Sequence, residues 1–234
     1  MYKQDDLKIR RRTWLKLSGI PEHAANSVGW LLSDCIDLDE DTARSVKSWV
    51  NHVKNRRVIR ASGEKLCGKG VMIFGDPGFG KTTVASAMLQ EMITSFMMDS
   101  FDAPNSVLVR PVYFASFNNL ISLKGEIISN EAHDSDEKLF QGVMGDCKDD
   151  AYNIRVLVID DIGKEHMSQS GWQRNLLHDI IRSRHGRGLP TIITTNLSPE
   201  DWADVYGTAT GSFINEAFYL IGVKSKAGDL RLKA

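Results

Sequence analysis

Cysteine is scarce in this chain. Cys35, Cys67 and Cys147 are far apart and form no CxxC pair. That argues against a disulfide framework and leaves no thiolate spacing suited to zinc, so the expectation is three reduced thiols of a cytoplasmic protein. Long apolar runs are missing as well. No window approaches the ~18 apolar residues of a membrane span, and the basic N-terminus lacks the apolar segment of a signal peptide. Charge of one sign is not in excess either: 29 Lys and Arg face 30 Asp and Glu, a net charge of -1. Nothing global therefore attracts nucleic acid or a membrane, and any nucleic-acid contact has to come from local basic patches. A last absence is local. From Asn196 onward the first arginine is Arg231, and what that means depends on the residues upstream. With 234 residues, 42% apolar and 25% charged, the chain has room for one sizeable domain and an appendage.

The strongest positive signal is VMIFGDPGFGKTTVASAMLQEMI. Val71 to Phe74 is a short apolar run of the kind found in a buried parallel strand. Gly75, Asp76, Pro77, Gly78, Phe79, Gly80, Lys81 and Thr82 then satisfy GxxxxGK[ST] in full, with Thr83 next. Val84, Met88, Met92 and Phe96 follow at helical spacing. Strand, glycine loop and helix are the context this motif requires. The glycines let backbone N–H groups turn inward onto phosphate oxygens, and the helix N-terminus adds partial positive charge. Lys81 is expected at the β and γ phosphates of ATP, and the Thr82 hydroxyl on Mg²⁺.

A second strand, Val156 to Ile159, ends in Asp160 and Asp161. Open α/β sheets bind ligands at that edge. Asp160 is expected to hold Mg²⁺ through water, and Asp161 to polarise the attacking water. A third β-rich run, Thr191 to Thr195 behind Pro190, ends in Asn196, whose amide is expected to orient that water.

GDPGFGKTT, LVIDDIGKE and GLPTIITTNLSPEDW together resemble the AAA+ ATPases of the DnaC/DnaI helicase-loader type, whose core the IstB transposition helpers share. CGKGVMIFG, SGIPEH from Ser18 and VYFASFNNLI from Val112 also fit, and the resemblance spans roughly residues 18 to 200. It implies a P-loop three-layer αβα sandwich with a parallel sheet. It also implies ATP-dependent homo-oligomers, single-stranded DNA binding and a hexameric replicative helicase as partner. Only 38 residues follow Asn196, which predicts a core without a full C-terminal helical lid. Two other functions stay open: an IstB-like helper acting on duplex DNA, and a nucleotide-dependent inhibitor or adaptor of a host replication ATPase.

The ends depart from that family. Residues 1–17 form a short basic arm ahead of an AAA+ core over 18–234. The arm carries six basic residues against Asp5 and Asp6, with Leu7, Trp14 and Leu17 roughly helix-spaced. It is expected to fray or to contact helicase or DNA. The acids behind it suggest a helix start capped by Asp39, running through Val46, Trp49, Val50 and Val53. Residues 118–150 read as polar and irregular. In the family an arginine after the TTN strand reaches a neighbouring subunit's ATP, but Gly207 to Ile214 contains none. Arg182, Arg184 and Arg187 are the substitutes the sequence offers, and Arg231 falls where a sensor arginine acting in cis would lie.

Overall fold

A computed structural model of the chain describes residues 4–21, 31–35, 38–54, 68–95, 108–165 and 171–224. Cys67, Phe96 and Arg231 lie outside them. Five strands form one sheet: β1 (Gly70–Phe74), β2 (Val112–Ser116), β3 (Val156–Ile162), β4 (Thr191–Thr195) and β5 (Phe218–Gly222). Their order is β2-β3-β4-β1-β5, and every pairing is parallel. The apolar runs read as buried strands are the central ones, because a parallel sheet is covered on both faces and leaves no polar alternation.

Alternation within each strand divides the core in two. Val71, Ile73, Val156, Val158 and Ile192 point to one face, and Met72, Leu157, Ile159 and Ile193 to the other. The first face packs against three helices: α1 (Gln4–Leu17), α2 (Glu40–Lys54) and α3 (Lys81–Ser95). The second is covered by α4 (Phe117–Ile128), α5 (Asp134–Met144), α6 (Trp172–Gly186), α7 (Trp202–Tyr206) and α8 (Thr208–Ala217). The three-layer αβα sandwich expected from the resemblance is thus present. The stretch after Asn196 supplies α7, α8 and the edge strand β5, which runs alongside β1 from Gly70↔Phe218 to Phe74↔Gly222.

Helix α2 starts as the sequence suggested. Asp39 Oδ1 accepts hydrogen bonds from the N–H groups of Asp41 and Thr42, both at 3.1 Å, which satisfies two donors that the first turn leaves open. Val46, Trp49, Val50 and Val53 are buried.

Two expectations are overturned. Residues 118–150 are not irregular: α4 and α5 occupy most of them, capped by the Ser116 hydroxyl and by Asp136 turning back on the His133 N–H. Both helices bury few side chains, chiefly Phe117, Leu120, Phe140 and Val143, so the apolar pattern is sparse. The basic arm is likewise not a frayed tail over its described part. Its residues form α1, with Trp14 only 1% exposed in the first-face core and its indole N–H donating to the Leu108 carbonyl at 2.8 Å. Just beyond α1 the chain touches the sheet edge, where the Phe114 N–H donates to the Ser18 carbonyl at 2.7 Å. Trp14→Ala removes the anchor of this helix. It should cost about 3–5 kcal/mol, as for other buried aromatic truncations, read as a lowered midpoint of urea unfolding.

Candidate nucleotide-binding site

The turn from β1 into α3 lies at the C-terminal edge of the sheet, beside the ends of β3 and β4. Gly75, Gly78 and Gly80 have φ of 148°, 85° and 80°, a region that other residues enter only under strain. At Gly75 there is also no room: a Cβ would come within 2.8 Å of the Val223 carbonyl oxygen. The loop wraps around Lys81, whose ammonium donates to the carbonyls of Gly75 (2.7 Å) and Asp76 (2.8 Å). Lys81 is buried. The N–H groups of the first turn of α3 have no partner within their own helix, as at any helix start.

Thr82 joins this loop to β3. Its hydroxyl lies 3.1 and 3.2 Å from the two carboxylate oxygens of Asp160. Asp160 is buried, and burial pushes its carboxyl above the ordinary carboxylate range, against the opposing pull of its bonds from Thr194 and Thr82. Thr194 on β4 was not singled out from the sequence. Its hydroxyl donates to Asp160 at 2.5 Å and accepts the Asp161 N–H at 3.0 Å, so it fixes both aspartates at once. A signal was available: Thr194 shares the parity of Ile192, and Asp160 that of Val156 and Val158, so pairing the strands puts both on one face of the sheet.

Asp161 departs from regular strand geometry. Its φ is 59°, and the register of β3 on β4 shifts between Ile159 and Ile162. The irregularity turns its side chain outward, where Lys164 Nζ lies 2.7 Å from it. The loop beyond is tied down. The Gly163 N–H donates to Glu165 at 2.9 Å, and the other Glu165 oxygen accepts the hydroxyl proton of Tyr206, whose burial and acidic partner hold that phenol protonated. Tyr206 in turn stacks on the buried Trp202, with ring centroids 4.8 Å apart. Asn196 sits one residue past β4, exposed.

The structure therefore brings together Gly75, Asp76, Pro77, Gly78, Phe79, Gly80, Lys81, Thr82, Thr83, Asp160 and Asp161, with Asn196 at the same sheet edge. A buried ammonium, a run of helix-start amides and a hydroxyl–carboxylate pair form a donor set that fits a nucleoside triphosphate with a divalent cation. Among the described residues no other cluster of His, Cys, Asp and Glu could hold a metal.

Of the three arginines offered as substitutes, Arg184 is excluded. It is wholly buried and spreads its guanidinium over four backbone carbonyls, Val143 (2.9 Å), Ile154 (3.0 Å), Arg155 (3.4 Å) and Pro190 (3.1 Å), and the Thr191 hydroxyl (2.9 Å). A group so held cannot extend to a neighbour. Arg182 and Arg187 are exposed, and Arg182 lies over the ring of Phe213, 4.8 Å from its centroid.

This fold and this loop define a P-loop nucleotide-binding protein of the AAA+ class. The family model for IstB-like ATP binding proteins matches residues 129–213. The crystal structure of the DnaC helicase loader is 28% identical over 78% of this chain and 88% of that one, with a TM-score of 0.56. The crystal structure of DnaI is 20% identical, covering 93% of this chain and 99% of that one, TM-score 0.60. A replication initiator, DnaA bound to AMPPCP and single-stranded DNA, shares the fold at 12% identity over 84% of this chain and 50% of its own, TM-score 0.57. No curated protein matches. The chain is similar to the DnaC helicase loader and to IstB-like ATP binding proteins, and its role is that of an ATP-binding AAA+ protein.

Proposed function

We propose that this chain is a helicase loader: it binds ATP, assembles into homo-oligomers and helps place a hexameric replicative helicase on single-stranded DNA. The observation that carries this reading is the 28% identity to a helicase loader across most of both chains, combined with a complete phosphate loop facing Asp160. Lys81 grips the β and γ phosphates, Thr82 and Asp160 hold Mg²⁺, Asp161 polarises the attacking water, and Asn196 orients it. Bound Mg²⁺ supplies charge neutralisation between the β and γ phosphates. Arg231 is assigned the cis sensor role. The α8 segment Gly207 to Ile214 offers no arginine to a neighbour. Trans-acting arginines are worth ~10³–10⁵ in rate in other P-loop enzymes, so turnover by the purified chain should be very slow, with assembly driven by ATP binding.

The test combines the chain with its organism's replicative helicase on DNA that has a protein-coated single-stranded gap. Unwinding should require the chain and ATP and fail with Lys81→Ala. Unwinding indifferent to the chain, or brisk concentration-independent hydrolysis without partners, would sink the reading. The IstB-like family match favours one rival, a transposition helper. Preference for duplex over single-stranded DNA would select it.

A further inference from the structure

Helix α1 plays no part in the nucleotide site, yet it displays an ordered row of charge. Lys8, Arg12 and Lys16 recur at intervals of four and are all exposed. Residues four apart share a helix face, about one turn or ~6 Å from one another along the axis. The row is thus ~12 Å long. None of the three makes an ion pair among the described residues. Like charges at this spacing weaken a helix, and no acid of this helix beyond its first turn offsets them. Trp14, on another side of the helix, is buried and fixes which face is shown. Near the end of α1 a further cation, Arg110, lies over the Tyr113 ring, and that ring abuts Gly19.

We propose that this face of α1 binds the sugar–phosphate backbone of DNA, with Lys8, Arg12 and Lys16 each meeting one phosphate. The chemistry of the face decides between occupants. A protein partner draws most of its binding energy from buried aromatic or aliphatic anchors, and among the described side chains of α1 Ile9, at 63% exposure, is the lone exposed large apolar one. What remains is evenly spaced positive charge on a rigid rod. That suits a polyanion whose charges repeat at regular intervals and whose affinity comes from counterion release. The proposal goes beyond the loader reading, since it needs no helicase and applies to single strands and duplexes alike.

The experiment is fluorescence anisotropy of the full chain with Mg²⁺-ATP, using a labelled oligothymidylate and, separately, a labelled duplex, across a salt series. The variant Lys8→Ala, Arg12→Ala, Lys16→Ala should bind at least tenfold more weakly at low salt. Its log–log salt slope on the single strand should be shallower by about 2, since each lost phosphate contact removes about 0.7. ATP binding and thermal melting should be unchanged, because the three side chains are exposed and remote from the phosphate loop. The charge-conserving variant Lys8→Arg, Arg12→Lys, Lys16→Arg should bind as the unmodified chain does. Unchanged affinity and slope in the alanine variant on both DNAs would overturn the proposal, as would failure of the charge-conserving variant alongside it. Equal affinity for polyglutamate, lost in the same alanine variant, would overturn it in favour of an acidic protein partner.

Discussion

Lys81→Ala is expected to reduce ATP affinity by about a hundredfold or more while leaving the fold intact. The Lys81 ammonium is buried within the loop and bonded to the carbonyls of Gly75 and Asp76. Those carbonyls hold the charge where phosphates arrive but cannot themselves bind phosphate. Without the ammonium, the same oxygens present negative dipoles to a negatively charged ligand. The lost charge-assisted bonds, at about 1.5–3 kcal/mol each, and the added repulsion act in the same direction. Titration calorimetry with Mg²⁺-ATP measures the loss, and unaltered thermal unfolding of the nucleotide-free variant separates it from misfolding. Undiminished affinity would mean that the loop does not hold the phosphates.

Arg184→Ala is expected to act on stability instead. The side chain joins the end of α5, the entry to β3 and the entry to β4 through five acceptors. Burial, with Arg155 close by, lowers its affinity for its proton to about 9, so it is charged at neutral pH. Truncation leaves four carbonyls and a hydroxyl short of a donor and opens a void where the end of α6 meets the entries to β3 and β4. Breaking a buried charged network of this kind costs about 3–5 kcal/mol, a large share of the 5–15 kcal/mol that holds a typical domain. A fall in the thermal midpoint of about 6–20 °C follows for a chain of this size. Arg184→Lys should recover little, because an ammonium has three donors and lacks the planar fork. A soluble, normally stable Arg184→Ala protein that had lost ATP turnover would restore the trans-acting role that burial denies.

Arg184 marks where sequence reading stops. In IIRSRHGRG it looks like one of several cations at a helix end, favoured there by the helix dipole. Its partners are carbonyls up to 41 positions away, and carbonyls carry no residue identity. The phosphate loop, by contrast, was legible because its chemistry fixes residue types at fixed spacing between a strand and a helix. The sheet was legible because strands covered on both faces are apolar throughout. Thr194 is a strand hydroxyl outside any fixed-spacing motif, so its bonds to both aspartates show only once β4 is paired with β3. α4 and α5 were hidden by their wide solvent-facing surfaces. Trp14 carried the signal that α1 docks, but its contact at Leu108 lies 94 residues away, and the charge around it suggested a solvated arm.

The bond between Tyr206 and Glu165 tethers the loop after Asp161 to helix α7. Glu165 is also bonded to the Gly163 N–H, so its carboxylate links the loop to helix α7. A rearrangement of this loop that carries Glu165 away either breaks its bond to Tyr206 or pulls α7 along with it. Gly207 is the single residue between α7 and α8. In mechanical terms the carboxylate is the pin of a linkage between the acidic end of β3 and helix α7.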